Sequence, residues 1–209
     1  MQTVIFLNGE IPGNKIIRKI LKKRSLIISA DGGGNYLKSE GIFPNVVIGD
    51  LDSITPSALK YFREEGSEII KIKEQETTDF EKSLRYCIQK KLKSIVVLGA
   101  AGLRPDHTVN NLSILKRYCN YADIRIITEE FEMFMTDKNI EFKYRPGNVV
   151  SFIAMPAAVN ITTSGLKYKL RGEDLEFGKR EGSLNVSTSG IVRIKFDKGF
   201  ILIIKKHFL

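Results

Sequence analysis

The sequence predicts an α/β + β protein: an N-terminal Rossmann-like parallel sheet with helices on both faces, followed by a smaller all-β domain of sandwich or barrel type. Three observations carry this prediction. Short β-branched runs alternate with segments of helical period as far as residue 128. From about Glu130 onward no helical period survives, and short alternating runs take over. Carboxylates and glycines recur directly after the apolar runs, at the carboxyl ends of strands, where open α/β sheets bind ligands. The domains are expected to span 1–135 and 136–209.

Thr3-Val4-Ile5-Phe6-Leu7 is a continuous apolar run closed by Asn8-Gly9, and Asn14 to Lys23 carries Ile16, Ile17, Ile20 and Leu21 at helical spacing. Leu26 to Ala30 reads as a second strand, followed by Asp31-Gly32-Gly33-Gly34 and a helical segment through Tyr36 and Leu37. Val46 to Ile48 is the third strand; Thr55 as N-cap and Pro56 at the first helical position then open a helix to Glu64. Ser67 to Lys71 is the fourth. Thr78-Asp79-Phe80-Glu81 is a capping box, opening a helix whose buried face is Phe80, Leu84, Cys87 and Ile88. Ser94 to Leu98 leads into Gly99 to His107 and a helix with Val109, Leu112, Leu115 and Tyr118 as its apolar pattern, and Asp123 to Thr128 is the sixth strand. Short strands follow at 131–136, 140–144, 149–155, 159–163, 166–170 and 183–187. Val192, Ile194 and Phe196 alternate with Arg193, Lys195 and Asp197; Asp197-Lys198-Gly199 is expected to close a hairpin with Phe200 to Ile204.

The formal charge of +9 raises nucleic acid as a partner, with Lys15, Arg18, Lys19, Lys22, Lys23 and Arg24 in one cluster and Lys90, Lys91 and Lys93 in another. Both clusters end amphipathic helices, where cations favour the helix C-terminus, and neither has the interleaved aromatics that base stacking needs. No nucleic acid is expected. No apolar run approaches a membrane span, and Met1-Gln2-Thr3 enters a strand directly, so a cytoplasmic protein without a membrane partner is expected. Cys87 and Cys119 read as small buried thiols without a disulfide, and His107 and His207 have no zinc-type spacing.

Chemistry concentrates after the strands. In Val46-Val47-Ile48-Gly49-Asp50-Leu51-Asp52-Ser53 two carboxylates stand in i, i+2 register, and Thr55 leaves both free of capping duty. Anionic groups held close repel unless a hard divalent cation such as Mg²⁺ joins them, although an Asx-turn in a solvated loop would use the same residues. Asp79 reads either as an anion favoured by the helix dipole or as a further acid of the site. Asp31, Asp50, Asp52, Asp79 and the Arg104/Asp106/His107 group all fall at one edge of the predicted sheet. Glycines admit phosphate to the backbone and Arg104 offers a bidentate contact, which suits phosphoryl-type transfer by positioning and charge neutralisation.

Asp31-Gly32-Gly33, Gly49-Asp50-Leu51-Asp52-Ser53, Thr77 to Leu84 and Arg104-Pro105-Asp106-His107-Thr108-Val109-Asn110-Asn111 resemble, in order and spacing, the motifs of the thiamin pyrophosphokinase family. Gly165-Leu166-Lys167-Tyr168 and Gly182-Ser183-Leu184-Asn185 resemble its β-domain motifs, so the similarity covers nearly the whole chain. The resemblance implies transfer of the pyrophosphoryl group of ATP to the hydroxyl of thiamin, giving thiamin diphosphate and AMP, with Mg²⁺. It also implies a homodimer with shared active sites, residues 1–135 binding ATP and metal and residues 136–209 binding thiamin and dimerising. Carried over by position, Asp50, Asp52 and Asp79 are the catalytic and metal residues, with Asp31 a supporting acid. The sequence does not identify the group that takes the thiamin proton; Asp79 is the candidate, since a carboxylate at a metal site can accept a proton once the substrate oxygen is positioned. Asp31, Gly32, Gly33, Arg104, Asp106, His107 and Asn111 fall on the nucleotide side, Gln75 and Asn185 beside thiamin. The chain departs from the family pattern at Leu103, where glycine is frequent, at Glu76, where aspartate is frequent, and at Leu184, where serine is frequent. Read from residues alone, another Mg²⁺-dependent nucleotidyl or phosphoryl transferase, or a non-catalytic nucleotide or nucleic-acid binding module, would use the same scaffold.

Overall fold

The computed structural model describes residues 2–21 and 25–209, which form two compact units. The first runs to Ile114 and takes in Tyr121–Glu129; the second comprises Leu115–Asn120 and Glu130–Phe208. Lys22, Lys23 and Arg24 of the first basic cluster lie outside the described residues, as does Met1.

The first unit holds six parallel strands, β1 (Gln2–Phe6), β2 (Ser25–Ala30), β3 (Val46–Gly49), β4 (Glu68–Lys71), β5 (Ser94–Leu98) and β6 (Asp123–Ile127), in the order β4-β3-β2-β1-β5-β6. Helices α1 (Asn14–Leu21), α2 (Gly33–Ser39), α3 (Pro56–Glu64), α4 (Asp79–Gln89) and α5 (Pro105–Tyr118) alternate with them. Ile16, Ile17 and Ile20 of α1, Leu37 of α2 and Phe62 of α3 share one core with Val4, Phe6, Val47 and Leu98, so these three helices cover the same face. Right-handed crossovers place α4 and α5 on the opposite face, because the connections after β4 and β5 run the other way across the sheet. Each large side chain fully buried in such a core contributes roughly 1.5–3 kcal/mol.

The helix starts follow the predicted capping chemistry. The Thr55 hydroxyl accepts from the Ala58 N–H at 3.3 Å, and the Thr78 hydroxyl accepts from the Glu81 N–H at 3.4 Å. α5 differs from expectation in which face it buries: Asn111, Ile114 and Leu115 are buried, while Val109 is 69 % exposed. Val109 sits about 200° around the helix from Asn111, so it faces away from the stripe that packs.

The strand order reverses between β1 and β5, and backbone hydrogen bonds join the two loops there. Leu7 donates to Leu98 O at 2.9 Å, Gly9 to Gly99 O at 3.0 Å and Glu10 to Ala101 O at 3.2 Å. The acidic residues gather away from this point, where β2 and β3 end.

The second unit contains β7 (Phe131–Thr136), β8 (Ile140–Lys143), β9 (Val149–Ser164), β10 (Arg171–Glu176), β11 (Gly182–Val186), β12 (Ile191–Lys195) and β13 (Lys198–Lys206). It begins ahead of the expected boundary after residue 135, because β7 pairs antiparallel with β13 from Phe131↔Lys206 to Thr136↔Ile201. The predicted runs at 149–155 and 159–163 are one 16-residue strand, β9, on which the unit is built. One half of β9 lies between β13 and β11, the other between β12 and β10, and β7 and β8 extend the two sheets. Phe152 and Ala154 from the first half, Ile161 from the second, and Ile194, Ile201 and Ile203 share one core, which makes the unit a sandwich.

Two expectations are corrected here. Residues 166–170 are not a strand: Leu166 makes only an isolated bridge to Ser187, and Leu166 and Leu170 are buried as loop side chains that fill the core. Nor does Asp197-Lys198-Gly199 close a hairpin. β12 pairs Arg193↔Ser164 and Lys195↔Thr162, and β13 continues on the same edge of β9 with Lys198↔Val159 and Gly199↔Ala158. The chain bends without reversing. Gly199, at φ +115°, is needed because a Cβ would stand 2.1 Å from Ala157 O across the ladder; a signal that resembles turn chemistry serves close strand approach instead.

Candidate active site

β2 and β3 end side by side, and the loops that leave them are fastened to each other. Asp31 follows β2 at φ +38°, and its N–H donates to Ile48 O at 2.9 Å, continuing the ladder by one residue. Its buried carboxylate accepts from the N–H of Ser53 at 2.9 Å and of Ile54 at 3.1 Å. Asn35 of α2 adds a second clamp, donating to Ser53 O at 2.9 Å and accepting from the Thr55 N–H at 2.8 Å. The loop carrying Asp50 and Asp52 is therefore rigidly placed, with Leu51 held at φ +65° as part of the constraint. Gly49 ends β3 beneath it. A Cβ at Gly49 would lie 2.8 Å from Asp31 Cβ and 3.0 Å from Asp79 Oδ1, so the absence of a side chain makes the space into which the acids converge.

Asp31, Asp50 and Asp79 bring carboxylate oxygens within 4.8 Å of one another. Asp79 is the first residue of α4, and the helix dipole alone would not have required this meeting. The buried Lys82, one turn along α4, places Nζ 3.3 Å from Asp79 Oδ1. Burial pushes the Asp79 carboxyl above its usual range, against the pull of Lys82. Burial also raises Asp31, partly offset by the Ser53 and Ile54 N–H groups and reinforced by the Asp79 charge. Asp50 goes the other way. Burial pushes it up, but hydrogen bonds from Gln75 Nε2 at 3.1 Å and the Asp52 N–H at 3.3 Å, with the Lys82 charge, hold it below the ordinary carboxylate range. Three hard oxygen donors offset by a single ammonium leave a net anionic cradle of the chemistry that suits Mg²⁺.

The other predicted residues are distributed differently. Asp52 is exposed and stands outside the group of three, accepting from Ser53 Oγ at 2.9 Å. Gln75, expected beside thiamin, donates its amide to Asp50. Gly33 packs helix onto strand, since a Cβ would meet Phe6 O at 2.2 Å, and Gly32 caps α2 next to Asn8. Arg104 forms a bidentate pair with Asp106 (Nη2 to Oδ2 2.6 Å, Nε to Oδ1 3.1 Å). These bonds bring the Asp106 carboxyl down to about 2, and both side chains are exposed, as is His107. Asn111 is buried and donates to Ala100 O at 2.8 Å, pinning the loop after β5. Asn185 is buried as well: it accepts from the N–H of Tyr168 and Val186 (3.0 and 2.9 Å) and donates to Tyr168 O at 2.6 Å, so it holds the Tyr168 loop against β11. Leu103 and Leu184, the two departures inside motifs, both take left-handed φ (50° and 54°) and are about three-quarters exposed (76 % and 75 %). Sequence reasoning passed over Lys82 and Asn35. The signal available was spacing: Lys82 lies three residues after Asp79, one helical turn on the same side.

A parallel sheet with an acidic cradle at its carboxyl edge has the parts that a transferase of the phosphoryl type needs, a metal site and a place for phosphates. The model "Thiamin pyrophosphokinase, catalytic domain" matches residues 17–128, and "Thiamin pyrophosphokinase, vitamin B1 binding domain" matches 137–201. Thiamin pyrophosphokinase 1 of Caenorhabditis elegans is 26 % identical over 96 % of this chain and 88 % of its own length. Thiamine pyrophosphokinase 3 of Oryza sativa is 30 % identical over 91 % and 79 %. The crystal structure of the Bacillus subtilis thiamine pyrophosphokinase has the same fold, with a TM-score of 0.86 at 22 % identity over 100 % of both chains. The chain belongs to the thiamin pyrophosphokinase family. It is an enzyme, and its reaction is ATP-dependent pyrophosphoryl transfer to thiamin.

Proposed function

We propose that Asp31, Asp50 and Asp79 hold a Mg²⁺ ion against the polyphosphate of ATP while the pyrophosphoryl group passes to the thiamin hydroxyl, giving thiamin diphosphate and AMP. The observation that carries this is the convergence of three carboxylates within 4.8 Å over a residue that has no side chain. When bound, the ion neutralises charge on the phosphate oxygens and so eases attack on them. Asp31 sets the loop through Ser53 and Ile54, and Gln75 orients Asp50. Asp52, exposed on the same loop beside Asp31 and Asp50, would lend a further carboxylate charge to an ion held there. Asp79 accepts the thiamin proton, a role open to a carboxylate at the site once the substrate oxygen is positioned beside it. Arg104 exchanges Asp106 for a phosphate oxygen pair, with His107, Gly32 and Gly33 on the nucleotide side; Asn111 supports that side by fixing the loop. Asn185 acts on thiamin by holding Tyr168 in place.

Incubation with ATP, Mg²⁺ and thiamin, resolving AMP from ADP, tests the reaction. AMP together with thiamin diphosphate is the expected result; ADP would identify a simple kinase instead.

The working form is a homodimer with shared sites, in which the residue 137–201 domain of one chain faces the acidic cradle of the other, a reading supported by the family resemblance. Among the described residues no helix is long and apolar enough to cross a membrane. The cytoplasm is the compartment proposed, since two thiols without a disulfide suit reducing conditions. Complementation tests the shared site. Asp50→Asn and Asn185→Ala homodimers should each be impaired, the first in chemistry and the second in thiamin KM. After subunit exchange, a shared-site heterodimer contains one site with both defects and one with neither, so activity should rise above the mean of the parents. Activity equal to that mean, with exchange verified by native mass spectrometry, would place each site within one chain.

A further inference from the structure

Lys82 carries a positive charge into a site built to attract one. Its side chain is 3 % exposed, and its Nζ is 3.3 Å from Asp79 Oδ1. Its charge also lowers the carboxyls of Asp50 and of Glu74, the residue that accepts from the N–H of Thr77 just before α4. Burying an ammonium is costly unless it is paired, and Asp79 takes only one of its three N–H donors. A cradle meant for a free divalent ion would bind it better without this lysine, since like charges repel across a few ångströms. The lysine makes sense if the ion arrives with an anion attached. Three carboxylates and a divalent ion leave one negative charge, which would repel a polyphosphate; the ammonium beside Asp79 cancels it, so an ion that carries a polyphosphate is accepted.

We infer that Lys82 is a positioning residue that makes the cradle select the metal–nucleotide complex over the free metal. The inference rests on the metal reading of Asp31, Asp50 and Asp79, and it deepens that reading by naming the form in which the ion is taken. Its signature is a pair of effects with opposite sign. Removing the charge strengthens free-ion binding and weakens binding of the ion–polyphosphate complex, whereas the loss of a merely structural residue weakens both.

The test uses the full chain with Mn²⁺ as probe, its free fraction read by electron paramagnetic resonance. Binding is measured alone and with an ATP analogue carrying a methylene between the α and β phosphorus atoms, at one pH well above the carboxylate range. Lys82→Met should bind free Mn²⁺ at least about 10-fold more tightly and the Mn²⁺–analogue complex at least about 10-fold more weakly than the wild type. Lys82→Arg should return both constants toward the wild type, because it restores the charge. If Lys82→Met weakens both or changes neither, the inference is overturned. If Lys82→Met does not fold, Asp79→Asn/Lys82→Met is compared with Asp79→Asn alone: weaker binding of the complex than in Asp79→Asn supports the inference, and binding equal to that of Asp79→Asn overturns it. The metal reading fails separately, if the wild type does not bind Mn²⁺ or if Asp50→Asn binds it as well as the wild type does.

Discussion

Asp50→Asn is expected to lower turnover at least about 100-fold, roughly 2.7 kcal/mol of barrier, with the fold retained. Asparagine keeps the shape of the side chain and can still meet Gln75, so the loop held by Asp31 and Asn35 has no reason to move. What disappears is one of the three charges within 4.8 Å that the ion needs. Steady-state kinetics over a Mg²⁺ series decide the matter. The Mg²⁺ concentration for half-maximal rate should rise along with the fall in kcat. Turnover within about threefold of the wild type would remove Asp50 from the chemistry.

Gly49→Ala is the second large effect, and it follows from space instead of charge. The added methyl would lie 2.8 Å from Asp31 Cβ and 3.0 Å from Asp79 Oδ1, at a φ of +153° that side chains rarely adopt. Either the methyl pushes the two acids apart or β3 shifts against β2 and β4. Activity should fall at least about 100-fold, and unfolding in urea should show a loss of about 1–3 kcal/mol. The diagnostic is the combination: a folded protein that has lost Mn²⁺ binding without losing any carboxylate. A variant with normal activity and normal metal binding would show that the acids do not meet over Gly49.

Two asparagines carried over as site residues, one on the nucleotide side and one beside thiamin, are both built into the fold. Asn111 and Asn185 lie inside motifs and are both buried with their amides directed at backbone groups, Ala100 O for the first and the Tyr168 backbone for the second. Polar side chains removed from water take the nearest backbone partners, and no sequence pattern separates that duty from ligand contact. Leu103 is a related case. Where glycine is frequent in the family, this chain holds a leucine in left-handed backbone, which explains why glycine suits the position and leaves an exposed apolar side chain beside Arg104.

The sequence by itself determined the class of each half, the six parallel strands, the capped starts of α3 and α4 and the placement of acids after β2 and β3, because hydrophobic period and capping are local properties. Its order of motifs was sufficient for the family. Tertiary structure alone decided which acids meet: Asp31 joins Asp50 and Asp79, since its backbone extends β2 and its carboxylate grips Ser53 and Ile54, while the exposed Asp52 sits beside Asp31 and Asp50 without joining the group of three. It likewise decided that β12 and β13 run as one line along β9, a matter of long-range register on which the Asp-Lys-Gly sequence is silent. The physical reason is the same in both cases. Pairing between distant segments and the direction a loop side chain takes depend on what lies across the gap, and a linear sequence specifies that only through the fold.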